Sequence, residues 1–202
     1  MDRLCGQSVS RETFERLEIY ESLLHKWNPS INLVSRNSLS DLWHRHIADS
    51  VQVYRLASTA RNWLDIGSGG GLPGAIVAIL AKDECPQAQI TLIESDKRKS
   101  AFLRTVSRET GVKFQVIADR IELVSPWNAD VLSARAVANL TTLLQFSERH
   151  LAPTGIALFS KGSSWEKEVD DARQEWSMNV EPIPSVTETG AVVLKIQGIS
   201  RV

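Results

Sequence analysis

The ten residues Asp65-Ile66-Gly67-Ser68-Gly69-Gly70-Gly71-Leu72-Pro73-Gly74 constrain this chain more than any other stretch. Five of the eight positions 67–74 are glycine. The run succeeds a short apolar segment, 63–66, and opens onto 74–80, whose composition is helical. Strand, glycine turn and helix in that order bring backbone N–H groups to a helix N-terminus, where a ligand can approach closely. Pro73 suits the first helical turn, where its missing N–H is not needed. Glycines weaken regular structure, so a run this dense points to a ligand rather than to a bare turn.

Beyond the loop, strand and helix continue to alternate. Strands are predicted at 89–94, 114–117, 130–133 and 155–160, with helices at 97–110, 140–150 and 164–176 between or after them. Gly111 is a natural stop for the helix 97–110. Alternating strands and helices predict an α/β fold with a doubly wound, mostly parallel sheet. Two terminal strands, 180–183 and 191–197, have no helix between them and predict an antiparallel finish.

Upstream the texture changes. Phe14, Leu17, Tyr20, Leu24 and Trp27 recur at helical spacing, with Ser10 as N-cap and Asn28-Pro29 as the stop. A second stripe runs from Leu39 through Trp43, His46 and Ile47 to Tyr54. We therefore expect residues 1–60 to form a helical extension packed on a core domain, 61–202. His46 lies on this stripe as a core histidine bonded to a neighbour. His44 and His46 fall on different helix faces, so no metal pair is expected.

Two ligand classes fit a glycine loop of this kind. Gly69-x-Gly71-x-x-Gly74 matches the dinucleotide pattern G-x-G-x-x-G. Asp65, Gly67, Gly69 and Gly71 match the D-x-G-x-G-x-G loop of class I methyltransferases. The strand ends at Ile66, so the first turn glycine is Gly67, and the sixth position counted from it is Leu72, which breaks the dinucleotide pattern. Asp65 at the loop's start suits the amino end of S-adenosylmethionine and would repel a pyrophosphate.

The other strand ends add to this reading. Glu94 closes the second strand, where an acid hydrogen-bonds ribose hydroxyls in either class. Asp119 or Glu122, after the third strand, is placed to accept from an adenine amino group, or else belongs to a surface turn. Ser133-Ala134-Arg135-Ala136 ends the fourth strand. No Asn/Asp-Pro-Pro-aromatic run of exocyclic-amine methyltransferases stands there. Cys5 and Cys85 are outside the segments where a C5-pyrimidine nucleophile would lie. Arg135, and Lys161 after the fifth strand, are cations suited to phosphate or guanine-edge binding. They suit a nucleophile that needs no base, such as guanine N7, although Arg135 can equally pair with a loop carboxylate such as Glu122.

The net charge of −1 excludes a globally basic nucleic-acid protein. It conceals an asymmetry: residues 96–113 carry +4 and residues 162–190 carry −5. A basic face beside the loop fits an RNA substrate, and an ordinary solvated helix face fits it too. Two cysteines make neither a disulfide framework nor a four-ligand zinc site. The N-terminus lacks the apolar core of a secretory signal, and no run is long enough to span a bilayer. The expectation is a soluble, cytoplasmic monomer.

Several runs taken together resemble the ribosomal RNA small subunit methyltransferase G family, also called glucose-inhibited division protein B. They are Leu24-His25-Lys26-Trp27-Asn28, Asn32-Leu33-Val34-Ser35, Arg45-His46-Ile47-Ala48-Asp49-Ser50, the loop from Leu64 to Gly74, Ser133-Ala134-Arg135-Ala136 and Lys161-Gly162. The resemblance covers about 17–196. It implies a class I S-adenosylmethionine-dependent methyltransferase fold and methylation of N7 of one guanosine in 16S rRNA near the decoding centre. The substrate would be 16S rRNA or the small subunit. It also implies cofactor contacts at Gly67, Leu72, Ile121, Glu122 and Arg135. With the residues read directly, the candidate cofactor set is Asp65, Gly67, Gly69, Leu72, Glu94, Ile121, Glu122 and Arg135. The candidate RNA contacts are Arg135, Lys161, Arg45 and Arg98, with no metal site. A small-molecule methyltransferase, an NAD(P) oxidoreductase and a non-catalytic assembly factor remain alternatives.

Overall fold

The computed structural model describes residues 2–4 and 7–202. Cys5 lies outside the described residues. A short hairpin of β1 (Asp2–Leu4) and β2 (Gln7–Val9) precedes α1 (Arg11–Ile31). Ser10 caps α1 as expected, its hydroxyl accepting from Thr13 N. Helix α1 does not stop at Asn28-Pro29. It runs two residues further because the Asn28 carboxamide oxygen accepts from Leu33 N and Val34 N at 2.7 and 2.9 Å. Asn32, in the left-handed region, then closes the end by donating to Asn28 O. Pro29 so near the terminus removes a single helical bond.

The second stripe is not one helix either. It divides into α2 (Arg36–Leu39), a π-helical turn (Trp43–Ile47) and α3 (Ala48–Arg55). The extra residue of a π turn rotates the side chains that come after it.

Beyond this lies one seven-stranded sheet. Its strands are β3 (Asn62–Ile66), β4 (Gln89–Ile93), β5 (Gln115–Ile117), β6 (Ala129–Arg135), β7 (Leu151–Lys161), β8 (Trp176–Pro184) and β9 (Val192–Arg201), in the order β5-β4-β3-β6-β7-β9-β8. The first five are parallel, and β9 runs antiparallel to both β7 and β8. The helices are α4 (Gly74–Glu84), α5 (Lys97–Thr110), α6 (Leu140–His150) and α7 (Trp165–Ala172). The predicted acidic helix 164–176 is shorter than expected. Trp176 instead begins β8, buried beneath the Arg201 guanidinium at 4.0 Å from its ring.

Period-two alternation sends the strand residues to two cores. Trp63, Leu92, Val131 and Leu158 face α1, α3, α4 and α5, whereas Leu64, Ile66, Leu132 and Phe159 face α6 and α7. Every residue of α4 from Gly74 to Ala81 is buried. A helix apolar on all sides needs cover on all sides, and α1 and α3 supply it, packing over α4 while the sheet lies beneath. Strand order reverses between β3 and β6. That reversal opens a crevice at the carboxyl ends of the strands, the place where ligands enter doubly wound sheets.

Candidate functional site

The glycine run forms the turn between β3 and α4. Gly67 and Gly71 hold φ of +60° and +83°, in the left-handed region. A Cβ at Gly67 would stand 2.5 Å from Val137 Cγ2, and one at Gly71 would stand 2.6 Å from Ala75 Cβ. Neither position accepts a larger residue without moving its neighbours.

Three side chains fasten the loop. The Glu94 carboxylate accepts from Gly69 N at 2.8 Å and from Asp96 N at 2.7 Å. The Tyr20 hydroxyl, from α1, donates to Gly70 O at 2.7 Å. Asp65 sits below. One of its oxygens accepts from the Ser133 hydroxyl at 2.6 Å, and that hydroxyl accepts from the Trp63 indole N–H at 2.9 Å. The second oxygen has no hydrogen-bond partner. Gly74 roofs it so closely that a Cβ there would lie 2.6 Å from Asp65 Oδ2. Burial raises the Asp65 pKa to about 6, against the lowering effect of the Ser133 bond.

Three cavities run along the carboxyl edge of the sheet. The first, about 640 Å³, is lined by Gly67, Ile93, Asp119, Ile121, Glu122 and Phe146 among others. The second, about 360 Å³, meets it at Gly67 and is bounded by Gly69, Leu72, Glu94, Lys99, His46 and Arg135. The third, about 320 Å³, meets the second at Arg135 and Ala136 and is bounded further by Asp49, Ser160, Lys161 and Glu188.

Arg135 therefore stands in the wall between two cavities. Its Nη2 donates to His46 Nδ1 from the π-helical turn, and its Nη1 lies 3.9 Å from Asp49 Oδ2. Burial lowers its pKa. Burial, with Arg135 and then Arg45 adding to it, lowers the His46 pKa to about 4, so the ring is neutral near pH 7. Since arginine only donates, His46 Nδ1 is the acceptor and its proton resides on Nε2. That Nε2 is buried without a partner.

Seven of the eight expected cofactor residues line these cavities: Gly67, Ile121 and Glu122 in the first, and Gly69, Leu72, Glu94 and Arg135 in the second. Asp65 is the exception. The expectation that its carboxylate faces a ligand's amino group is corrected, because side-chain alternation on β3 turns it under α4, where it is 1% exposed. Glu122 pairs with Arg120 at 3.4 Å, not with Arg135.

Of the expected RNA contacts, Arg135 faces open space in two cavities. Lys161 is more committed than its position suggested, with its ammonium on Glu168 at 2.7 Å and on Ala138 O at 2.8 Å. Arg45 and Arg98 are exposed and paired with Glu188 at 2.8 Å and Asp96 at 3.1 Å. Two residues that the sequence does not single out for the site also stand there, Asp49 in the wall of the third cavity and Tyr20 against the glycine loop. Asp49 lies three positions after His46, a spacing that places both on one side of a helix and was the available signal. Among the described residues no three His, Cys, Asp or Glu side chains gather to hold a metal ion. No helix among them is long and apolar enough to cross a membrane.

The fold has counterparts in solved structures. A TehB-like SAM-dependent methyltransferase from Corynebacterium glutamicum aligns with TM-score 0.59 at 12% identity, over 90% of this chain and 98% of the other. The N-methyltransferase NodS from Bradyrhizobium japonicum, in complex with S-adenosyl-l-homocysteine, aligns with TM-score 0.58 at 16% identity, over 88% and 96%. At these identities the likeness concerns the fold, which is that of the class I methyltransferases. Sequence carries the assignment further. The ribosomal RNA small subunit methyltransferase G of Ruegeria pomeroyi is 57% identical over 195 residues, 96% of each chain. That of Ruegeria sp. strain TM1040 is 59% identical over 194 residues, 96% of this chain and 95% of the other. The model of the GidB family, rRNA small subunit methyltransferase G, matches residues 13–193. That span takes in Tyr20, the glycine loop and all three cavities, and the chain belongs to this family.

Proposed function

We propose that this chain transfers a methyl group from S-adenosylmethionine to N7 of one guanosine in 16S rRNA near the decoding centre, acting in the cytoplasm on the small subunit or its RNA. The observation that carries this reading is Arg135, which closes the glycine-loop cavity on one side and opens a second, polar cavity on the other. A methyl donor in one space and an acceptor base in the next would meet at that wall.

The residues present fit the cofactor. Gly67, Gly69 and Leu72 would border its amino-acid end, Glu94 its ribose, and Ile121 with Glu122 its adenine. Glu94 keeps lone pairs for hydroxyl donors after accepting from two backbone N–H groups. Asp65 acts from beneath, holding the loop in shape through Ser133 and Gly74. S-adenosylmethionine supplies an electrophilic methyl group on a positively charged sulfur. Guanine N7 has a lone pair and no proton, so none of the surrounding residues is asked to act as a base. Arg135 and Lys161 at the ends of β6 and β7 are cations, which agrees with positioning rather than proton removal. The helices within residues 11–55, preceded by the β1–β2 hairpin rather than forming an all-helical extension, are read as the cover of a methyltransferase unit spanning 61–202.

The test is methyl transfer from labelled cofactor to purified small subunits and to naked 16S rRNA, with nucleotide mapping of the product. One labelled guanosine, cleavable by the borohydride and aniline chemistry specific for 7-methylguanosine, is expected. Label at an exocyclic amine or a ribose, or turnover confined to small metabolites, would remove this reading.

A further inference from the structure

We infer that the third cavity seats the target guanine and that Asp49 selects it, its Oδ2 accepting from the 2-amino group while Arg135 donates to O6. This rests on the guanine-N7 reading above and adds a specificity-determining residue to it.

The cavity is polar, and at about 320 Å³ it is small enough for one base. Three carboxylates border it. Glu168 takes both Lys161 at 2.7 Å and Leu140 N at 2.9 Å on Oε2. Glu188 is drawn to Arg45. Of the three, Asp49 is the one that stands against Arg135, and its Oδ1 accepts from the hydroxyls of Ser185 at 3.0 Å and Thr187 at 2.6 Å. Its Oδ2 faces Arg135 Nη1 at 3.9 Å, too far for a hydrogen bond.

Arg135 Nη1 is in turn buried without a hydrogen-bond partner. An unused donor held in a protein interior is costly and calls for an explanation. An open acceptor and an unused donor thus stand side by side at the edge of one cavity. Guanine presents their complement on one edge, the O6 acceptor beside the N1–H and 2-amino donors. Adenine presents the reverse there, an amino donor beside an N1 lone pair, which would face the Asp49 carboxylate. This pairing uses none of the N7 lone pair, so the base is gripped and its nucleophile stays free. His46 contributes by taking the other arm of the Arg135 guanidinium.

The experiment compares wild type, D49N and S185A/T187V on small subunits reconstituted with guanosine or with inosine at the mapped nucleotide. Inosine lacks only the 2-amino group. Wild type is expected to prefer guanosine by about ten- to a hundredfold in kcat/KM. In D49N the preference is expected to shrink to within about threefold, with cofactor affinity by calorimetry unchanged. Differences in intrinsic N7 nucleophilicity cancel when the two preferences are compared. S185A/T187V removes the loop bonds and leaves the carboxylate, so it should keep the wild-type preference. Where D49N turns over too slowly, the same ratio is read from filter binding of the two subunits. Wild type treating both bases alike, D49N keeping the preference, or S185A/T187V losing it as D49N does would each overturn the assignment of Asp49. Wild type modifying an atom other than N7 would instead overturn the reading of the reaction itself.

Discussion

The Tyr20 hydroxyl and the Gly70 carbonyl oxygen lie 2.7 Å apart, joining α1 to the middle of the glycine loop through a buried hydrogen bond. Tyr20 is fully buried, which pushes its hydroxyl pKa up and keeps it a neutral donor. Tyr20→Phe keeps the ring beside Phe102 and strands the Gly70 carbonyl. Thermal unfolding should show a loss of about 1–3 kcal/mol. Calorimetry should show weaker S-adenosylmethionine binding, because the loop loses one of its fastenings.

Glu94 holds two loop N–H groups with one carboxylate. Glu94→Gln turns an –NH2 toward one of them. The expected loss is about 1.5–3 kcal/mol of binding free energy for the cofactor, roughly ten- to a hundredfold in Kd. Titration calorimetry reads it directly, and an unchanged Kd would exclude Glu94 from the binding site.

Asp65 and His46 move stability with pH in opposite directions. The raised pKa of Asp65 means that between about pH 4 and 6 the native chain keeps a proton that the unfolded chain has released. Its contribution therefore falls as pH rises through that window, by on the order of 3 kcal/mol. Asp65→Asn should raise the melting temperature at pH 8, with the gain fading toward pH 4.

The lowered pKa of His46 has the other sign. Between pH 6.5 and about 4 the unfolded chain takes up a proton that the native chain refuses, so stability falls as pH falls through that range. His46→Phe should relieve this acid loss. It should also lower methylation of small subunits by about tenfold or more, because Arg135 loses the acceptor that orients it. An acid limb of the stability curve identical to wild type would show that the ring is not buried neutral.

Lys97 and Arg98 open α5 beside Asp96, at the same sheet edge as the cavities, and both are exposed. If this face meets RNA phosphates, replacing both by alanine should lessen the slope of log affinity against log salt by roughly one for each phosphate that is released. Cofactor binding should not change. An unchanged slope would assign the charge of α5 to solubility alone.

Local chemistry makes much of this molecule legible in its sequence. Helix α5 spans its predicted residues and ends at Gly111, and α6 spans its predicted residues too, because caps and apolar spacing act within a few positions. The π-helical turn is invisible there because its altered hydrogen bonding and the rotation that follows have no residue signature of their own. Pro29 misleads because the rescue comes from the Asn28 side chain, whose partners lie beyond the proline. At the site, the glycine loop and Glu94 are plain from position along the strands. The burial of Asp65 depends on Ser133 and Gly74 packing around it. The link from Asp49 to Ser185 and Thr187 joins residues more than 130 positions apart, and no local pattern announces it.

Helix α4, buried from Gly74 to Ala81, bears on the order of events on the ribosome. Residues 11–55 are made before α4 and α5, so Leu17, Tyr20 and Leu24 emerge ahead of the helices that receive them. Their partners in α4 and α5 arrive only when synthesis has passed Thr110, several seconds later at ordinary elongation rates. Until then the stripe of α1 lacks the α4 and α5 surfaces it packs on in the finished fold, and Val131, Leu158 and Val193 of the same core come later still. A slowed ribosome or an absent chaperone would therefore be felt first in the N-terminal quarter of the chain, far in time from the strands that complete the sheet.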